Sequence, residues 1–145
     1  MFKHFLIATD GSQLAESGAL SAVQLAKSMS AKLTAITVST PFHIFATDAV
    51  MVTDTEEIYK VQCKSQAETY LSVIKTAAES SGVSFEGIHV SHDPPYAAII
   101  ETANNKGCDV ICMASHGRRG IAALVLGSVT VKVLTHSKIP VVVWR

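Results

Sequence analysis

The sequence has few charged residues, few cysteines and no long hydrophobic run. Its twelve basic and twelve acidic residues give no net charge, which argues against a broad surface for nucleic acid or anionic membrane. The three cysteines include no CxxC pair, which argues against a disulfide framework or a zinc site. No apolar run approaches the roughly 20 residues of a membrane span. We therefore expect neither nucleic acid nor a membrane as a partner.

The start of the chain also lacks the layout of a signal peptide, because a strand-like segment follows Met1 almost at once. We therefore expect a cytoplasmic protein. The chain has 145 residues, 48% of them hydrophobic, which suits one domain with a buried core. We expect residues 1–145 to form that domain.

Short apolar or β-branched runs alternate with segments of helical periodicity along the whole chain. The runs predict strands, and the helical spacing of apolar residues predicts helices. The predicted strands are residues 3–9, 32–39, 84–91, 109–114 and 140–144, and the predicted helices are residues 13–29, 56–81, 93–106 and 127–137. This alternation, with strands too apolar for one wet face, is typical of an α/β fold with a parallel sheet and helices on both faces.

Two segments give ambiguous patterns. Residues 40–55 show no clean period, and a connection of that length predicts a lid, a binding loop or a mobile segment. Residues 129–134 alternate apolar and polar, which on periodicity alone indicates a strand. We favour a helix there because Gly127 and Ser128 can cap it, and because parallel neighbours need a crossover of about a dozen residues.

The stretch after the fourth predicted strand has the composition of an anion-binding loop. Its glycines stand at 117, 120 and 127, among Ser115, Ser128 and Thr130. Glycine admits positive φ and close approach, successive N–H groups form a concave nest, and a helix start adds partial positive charge. The stretch therefore predicts a phosphate cradle. The Walker pattern and the dinucleotide pattern GxGxxG are both absent, so we do not expect a P-loop with its lysine.

Several residue groups resemble the universal stress protein family: Ala8-Thr9-Asp10-Gly11-Ser12, Val38, and Ala114-Ser115-His116-Gly117 followed nine residues later by Gly127-Ser128. The resemblance covers essentially the whole chain. The family's nucleotide motif is Gly-x2-Gly-x9-Gly-(Ser/Thr), and Ala114 replaces its first glycine. An alanine matters there only if the position needs positive φ or has no room for a Cβ, so we expect weakened rather than abolished binding. Val131 is a second departure, where a polar residue is common.

The resemblance implies a single-domain, doubly wound, Rossmann-like (adenine nucleotide α-hydrolase-like) fold with a five-stranded parallel sheet in the order 3-2-1-4-5. It implies a stress-response protein that binds ATP as a regulatory ligand, which orders residues 40–55 and 115–126. It also implies a homodimer formed through the last strand, residues 141–143. A carboxylate beside a triphosphate is repelled unless a cation or a ribose hydroxyl intervenes, so Mg²⁺ is a candidate companion of ATP.

The resemblance also implies a role for each matching residue. Asp10, with Ala8 and Thr9 beside it, is expected near the ribose and phosphates, and the Val38 backbone at the adenine edge. The ribose and α-phosphate are expected along Ala114, Ser115, His116, Gly117 and Arg118. The outer phosphates are expected at Gly127, Ser128, Val129 and Thr130.

Two other functions stay open at this point. One is a slow ATPase, for which only Asp10 or His116 could act as a base. The other is a nucleotide-free dimeric interaction protein in which the glycine loop is vestigial. Simpler interpretations also exist for single residues: Asp10 as a turn or cap, Arg118 as a solvated loop residue, and His116 as a loop residue without a nucleophile in reach. We expect no catalytic residue and no set of protein metal ligands.

Overall fold

The structure is a computed structural model, and it describes residues 1–42, 49–118 and 126–145. Strands and helices alternate through these residues as the sequence pattern predicts. The strands are β1 (His4–Ala8), β2 (Lys32–Ser39), β3 (Phe85–Ser91), β4 (Val110–Ala114) and β5 (Val141–Trp144), and the helices are α1 (Gln13–Ser28), α2 (Ala49–Ser80), α3 (Pro95–Lys106) and α4 (Ser128–His136).

The five strands form one parallel sheet in the order β3-β2-β1-β4-β5. Helices α1 and α2 pack on one face of the sheet, and α3 and α4 pack on the other. The predicted α/β class and the strand order are therefore confirmed. Central strands buried on both faces explain why β1 and β4 are almost continuously apolar.

Alternate residues of β1 feed two separate clusters of the core. Phe5 and Ile7 lie in the cluster under α1 and α2, whereas Leu6 lies in the cluster under α3 and α4. All three side chains are at most 1% exposed, and burial of each contributes about 1.5–3 kcal/mol. The alanines of α1 that face the sheet let the helix backbone approach it closely: Ala19, Ala22 and Ala26.

Helix α4 confirms the helical prediction for residues 127–137, although its sequence alternates like a strand. Only Thr130 and Val133 of this helix are buried. These two positions are three apart in the sequence, so they lie on the same face of the helix about one turn apart. The buried stripe is therefore too narrow to dominate the sequence pattern.

Helix α2 begins at Ala49, seven residues before the predicted start at 56. The interpretation of residues 49–55 as part of a connection was wrong, and residues 43–48 lie outside the described chain. No residue from 55 to 66 is buried, whereas Ala67, Ile74 and Ala78 are at most 1% exposed. A helix segment that does not pack on the core has no apolar period, and so periodicity cannot reveal where it starts.

None of the helices in the described ranges is long and apolar enough to cross a bilayer.

His4, at the start of β1, is a buried polar residue with one unused hydrogen-bonding atom. Its Nε2 lies 2.8 Å from Oγ1 of Thr34. Its Nδ1 is buried and has no hydrogen-bond partner among the described residues. Burial, and to a smaller extent the charge of Lys32, lowers the pKa of His4 below its usual 6.5.

This lowered pKa predicts a loss of stability in weak acid. The unfolded chain takes up the His4 proton near pH 6.5, but the folded chain resists it until the pH reaches the lower folded pKa. The free energy of unfolding should therefore fall as the pH drops below about 6.5. The lowered pKa of His89 acts in the same direction. Urea unfolding between pH 5 and pH 8 measures this dependence. The free energy of unfolding should fall less steeply with decreasing pH in His4→Gln than in the native chain. The same pH dependence in both proteins would mean that His4 is not the group responsible.

Candidate functional site

The carboxyl ends of β1 and β4 lie side by side at the point where the strand order reverses. β1 continues to β2 on one side and pairs with β4 on the other. In open α/β sheets a crevice forms at this position, and ligands bind there. Ala8 ends β1 at the crevice and is followed by Thr9, and Ala114 ends β4. The N–H of Thr9 donates to the carbonyl of Ile36, two residues before Val38.

Asp10 connects the turn after β1 to the loop after β4. Its Oδ1 accepts a hydrogen bond from the N–H of Ser12 at 3.0 Å, and its Oδ2 accepts one from the N–H of Arg118 at 2.9 Å. The hydroxyl of Thr9 accepts from the N–H of Gly11 at 3.2 Å, and Ser12 caps α1 through the N–H of Ala15. Asp10 is therefore both a turn residue and the main contact across the crevice.

The side chain of Arg118 lies across the same turn. Its Nε donates to the carbonyl of Asp10 at 3.0 Å, and one terminal nitrogen donates to the carbonyl of Gly11 at 3.3 Å. Its guanidinium also lies 5.0 Å from the centre of the Tyr70 ring, within the range of a cation–π contact. Arg118 is exposed but held, rather than a freely solvated loop residue.

Tyr70 of α2 is the residue of this site that the sequence did not reveal. Besides its contact with Arg118, its ring lies against Gly11, where an added Cβ would overlap it. The only available signal was a half-buried aromatic between Ala67 and Ile74 on the packed part of α2. That signal is indistinguishable from ordinary core packing.

The two matched motif glycines lie at close backbone approaches, where an added Cβ would be crowded. A Cβ on Gly117 would overlap the Asp10 carboxylate, and a Cβ on Gly127 would lie 3.3 Å from the Ser115 carbonyl oxygen and from Cα of His116. The N–H of Gly127 donates to that Ser115 carbonyl at 2.6 Å. Neither glycine has positive φ, so the requirement at both positions is close approach.

Ala114 occupies its motif position without backbone strain. It is the last residue of β4, pairs in register with Trp144 and is 8% exposed. Ser30 is the only described non-glycine residue with positive φ, so Ala114 does not adopt the conformation that would require glycine. Its carbonyl accepts a hydrogen bond from Oγ1 of Thr130 at 2.9 Å.

The start of α4 faces the crevice without a side-chain cap. Gly127 is its N-cap residue, and no described side chain accepts from the first N–H groups. Ser128 is exposed, Val129 packs against the core, and the Thr130 hydroxyl is already used by Ala114. Backbone N–H groups and the Ser128 hydroxyl are therefore what this helix start can offer a ligand.

The remaining predicted residues divide into two groups. His116 is half-buried, and its Nδ1 lies 3.1 Å from the Ser115 hydroxyl, so both belong to the loop that contacts Gly127. Val38 lies near the end of β2, with its side chain against the core under α3 and α4. Ala8 and Val129 pack against the same cluster, and no described hydrogen bond joins Val38 to the other predicted residues. No group of three metal-ligating side chains exists in the described ranges.

Comparison with known proteins gives consistent results. The model of the universal stress protein family matches residues 1–145. Universal stress protein YxiE of Bacillus subtilis strain 168 is 29% identical over 149 residues, which covers 100% of both chains. The solved structure of MJ0577, a universal stress protein of Methanocaldococcus jannaschii, has a TM-score of 0.82 and 30% identity over 99% of this chain and 96% of that one.

Two more distant structures share the fold and carry a nucleotide. One is a universal stress protein in complex with cAMP, with a TM-score of 0.68 and 24% identity over 98% of this chain and 95% of that one. The other is a universal stress protein from Archaeoglobus fulgidus in complex with dAMP, with a TM-score of 0.66 and 17% identity over 100% of this chain and 98% of that one.

The contact between Gly11 and Tyr70 makes a stability prediction with a matched control. Gly11 and Gly82 have nearly the same φ, +74° and +72°, but a Cβ on Gly82 meets no atom within 4 Å. Gly82→Ala should therefore lower the free energy of unfolding by about 1–2 kcal/mol, through backbone strain alone. Gly11→Ala should lower it by a further 1–3 kcal/mol or so, because the methyl group overlaps the Tyr70 ring.

Urea unfolding of four variants measures this difference: Gly11→Ala, Gly82→Ala, Tyr70→Leu and the double variant Gly11→Ala/Tyr70→Leu. The smaller side chain should recover part of the Gly11→Ala loss in the double variant. Equal losses for the two glycine variants would mean that Tyr70 does not press on Gly11.

Proposed function

The chain belongs to the universal stress protein family, and from that premise we propose that it binds ATP in the crevice between β1 and β4 as a regulatory ligand in a stress response. The observation that carries the proposal is the pair of motif glycines. A Cβ on Gly117 would overlap Asp10 in the loop after β1, and a Cβ on Gly127 would crowd Ser115 and His116. Backbone that approaches so closely, next to an uncapped helix start, is the form of an anion-binding cradle.

Each predicted residue has a role in this proposal. The N–H groups of Ser128, Val129 and Thr130 and the Ser128 hydroxyl would bind the outer phosphates, because no side chain caps this helix start. Ala114, Ser115, His116, Gly117 and Arg118 would border the ribose and the α-phosphate. Asp10, Ala8 and Thr9 would face them from β1, and the backbone of Val38 would bind the adenine edge.

The nucleotides bound by related proteins support the choice of adenine. The universal stress proteins solved with cAMP and with dAMP share this fold. Adenine is common to both ligands and to ATP, and recognition through the Val38 backbone would serve all three. We infer ATP because the cradle extends from Gly117 to the start of α4, which provides two separate contacts for a triphosphate.

Mg²⁺ would accompany the triphosphate beside Asp10. The Asp10 carboxylate would otherwise repel the phosphates, and Mg²⁺ is usually held by one or two carboxylates together with phosphate oxygens. The residues fit such a cation, since Asp10 provides one carboxylate at the crevice. Bound Mg²⁺ would supply charge neutralisation there.

The proposed output of ATP binding is a change in the surface offered to partners. The loop that contacts Gly127 is joined to β5, because the N–H of Ser115 donates to the carbonyl of Trp144 at 2.7 Å. β5 is an edge strand, and its residues Val141–Trp144 are half-buried. We propose that this strand forms a homodimer in the cytoplasm, since an apolar edge readily pairs with another chain.

Slow hydrolysis of ATP is the alternative from another functional class. Asp10 accepts hydrogen bonds from two backbone N–H groups, and Nδ1 of His116 lies beside the Ser115 hydroxyl. Neither contact singles out a base for water. Phosphate release by the native chain that is lost in Gly127→Val would favour slow hydrolysis of ATP. Phosphate release no faster than in buffer alone would favour ATP as a regulatory ligand that is not hydrolysed.

Isothermal titration with ATP and Mg²⁺ tests the proposal directly. We expect a dissociation constant below about 1 mM for the native chain. Gly127→Val should weaken binding by about tenfold or more, because a Cβ there already lies 3.3 Å from the Ser115–His116 backbone and the branched side chain adds further bulk. The control is Gly82→Ala, which is strained but lies at the other end of the sheet and should bind like the native chain. Equal affinities for both variants would contradict the proposed site.

Ala114→Gly gives a second prediction at the same site. Ala114 causes no backbone strain, so its effect should be limited to the room its methyl group takes from a ligand. We expect the substitution to tighten ATP binding severalfold in the same titration. An affinity gain of several hundredfold would mean that Ala114 blocks the site, and a loss would mean that its methyl group contributes to binding.

A further inference from the structure

A second cleft lies away from the nucleotide crevice, between the first half of α2 and the carboxyl ends of β2 and β3. Its volume is about 580 Å³, within the usual range of small-molecule sites. It shares no lining residue with the nucleotide site proposed above. The residues that matter most are Tyr59, Cys63 and Lys64 of α2, with Ser39, His89 and Ser91 of the sheet.

The cleft exists because the first half of α2 does not pack on the sheet. The described side chains from 55 to 66 are all exposed or half-buried, and close packing begins only at Ala67. Gly87 contributes no side chain to the floor. The described residues therefore leave the sheet surface under this part of the helix open.

The same sheet face changes from apolar to polar as it enters the cleft. On β2, Leu33 and Ala35 lie in the core, and on the same face Thr37 and Ser39 follow. His89 pairs in register with Thr37. A sheet face that is covered by helices is normally apolar along its whole length. The polar end of this face therefore suits a ligand that carries polar groups.

The polar floor contains one hydrogen-bonded pair, and a buried hydroxyl without a described partner lies two residues before Ser39 on β2. Oγ of Ser39 lies 2.7 Å from Nε2 of His89. Oγ1 of Thr37 is buried, with the residue 5% exposed, and has no hydrogen-bond partner among the described residues. Burial lowers the pKa of His89 and outweighs the opposing charge of Glu68, so the imidazole is neutral at pH 7. The floor therefore offers uncharged donors and acceptors.

The walls and mouth of the cleft have a different character. The rings of Phe42 and Tyr59 lie 5.3 Å apart at one wall, and Leu71 adds an apolar surface. At the mouth, Lys60 forms an ion pair with Glu56 at 2.9 Å. Lys64 forms no ion pair with any described residue, so its charge is available to an anion.

We propose that this cleft binds a small aromatic acid that carries a hydroxyl group. The ring packs between Leu71 and the pair of aromatic side chains, the carboxylate meets Lys64 at the mouth, and the hydroxyl reaches the Ser39–His89 pair. A hydroxyl group is both donor and acceptor, so it can bind to either member of this pair. The site is separate from ATP binding and does not depend on it.

Cys63 provides the experiment, because it is the one cysteine that lines the cleft. Cys108 and Cys112 are buried, and burial raises the pKa of these thiols to about 11 and about 12, so they react slowly. Alkylation of the native chain by iodoacetamide, followed by mass spectrometry, therefore reports on Cys63. We expect 4-hydroxybenzoate to slow this alkylation with saturation below about 10 mM.

Matched variants and probes identify the contacts. Lys64→Gln should weaken protection by about tenfold, whereas Lys75→Gln, an exposed lysine on the same helix outside the cleft, should leave it unchanged. Benzoate, which lacks the hydroxyl, and 4-hydroxybenzyl alcohol, which lacks the carboxylate, should each protect less.

Three results would overturn the proposal. They are an alkylation rate that 4-hydroxybenzoate does not change, equal effects of the two lysine variants, and equal protection by all three probes. Protection of Cys63 by ATP that Gly127→Val abolishes would also overturn it, because the cleft would then belong to the nucleotide site. If the chain does not bind ATP but 4-hydroxybenzoate still protects Cys63, only the proposed nucleotide function is contradicted.

Discussion

The site depends on the close contact between the loops that follow β1 and β4. The Asp10 carboxylate holds the N–H of Arg118 at 2.9 Å, and Gly117 has no side chain where that carboxylate lies. The Arg118 side chain then returns to the carbonyls of the same turn. A larger residue at 117 would separate the two loops, and the crevice between two adjacent parallel strands would lose its shape. The identity of one glycine therefore controls the geometry of the site.

Short hydrogen bonds extend this contact to the rest of the fold. Ser115 donates from its N–H to Trp144 of β5, and its carbonyl accepts from the N–H of Gly127. Thr130 of α4 holds the carbonyl of Ala114. The crevice, the start of α4 and the sheet edge thus share one loop, and any ligand that moves this loop must also act on β5. This connection is the physical basis that we propose for a nucleotide that acts on a surface without being consumed.

Sequence patterns predicted those features that burial or local spacing determines. β1 and β4 were recognisable because both faces are covered, and the resemblance to the family motif singled out Gly117 and Gly127, which the structure places at close backbone approaches. The start of α2 was missed because residues 55–66 have no buried face, so no apolar period marks them. Tyr70 was missed because its contacts with Gly11 and Arg118 join distant parts of the chain. The sequence could not show whether Arg118 is held or freely solvated. Its side chain binds the backbone carbonyls of Asp10 and Gly11, and a backbone carbonyl leaves no signal in the sequence.

We propose above all that the crevice between β1 and β4 binds ATP through the backbone at Gly117 and at the start of α4. The most direct measurement is a crystal structure of the chain grown with ATP and Mg²⁺. We expect density for the phosphates within hydrogen-bond distance of the N–H groups of Ser128–Thr130, with the adenine beside Val38. Nucleotide density at another place on the molecule, or an open crevice in crystals grown at ATP concentrations above about 5 mM, would contradict it.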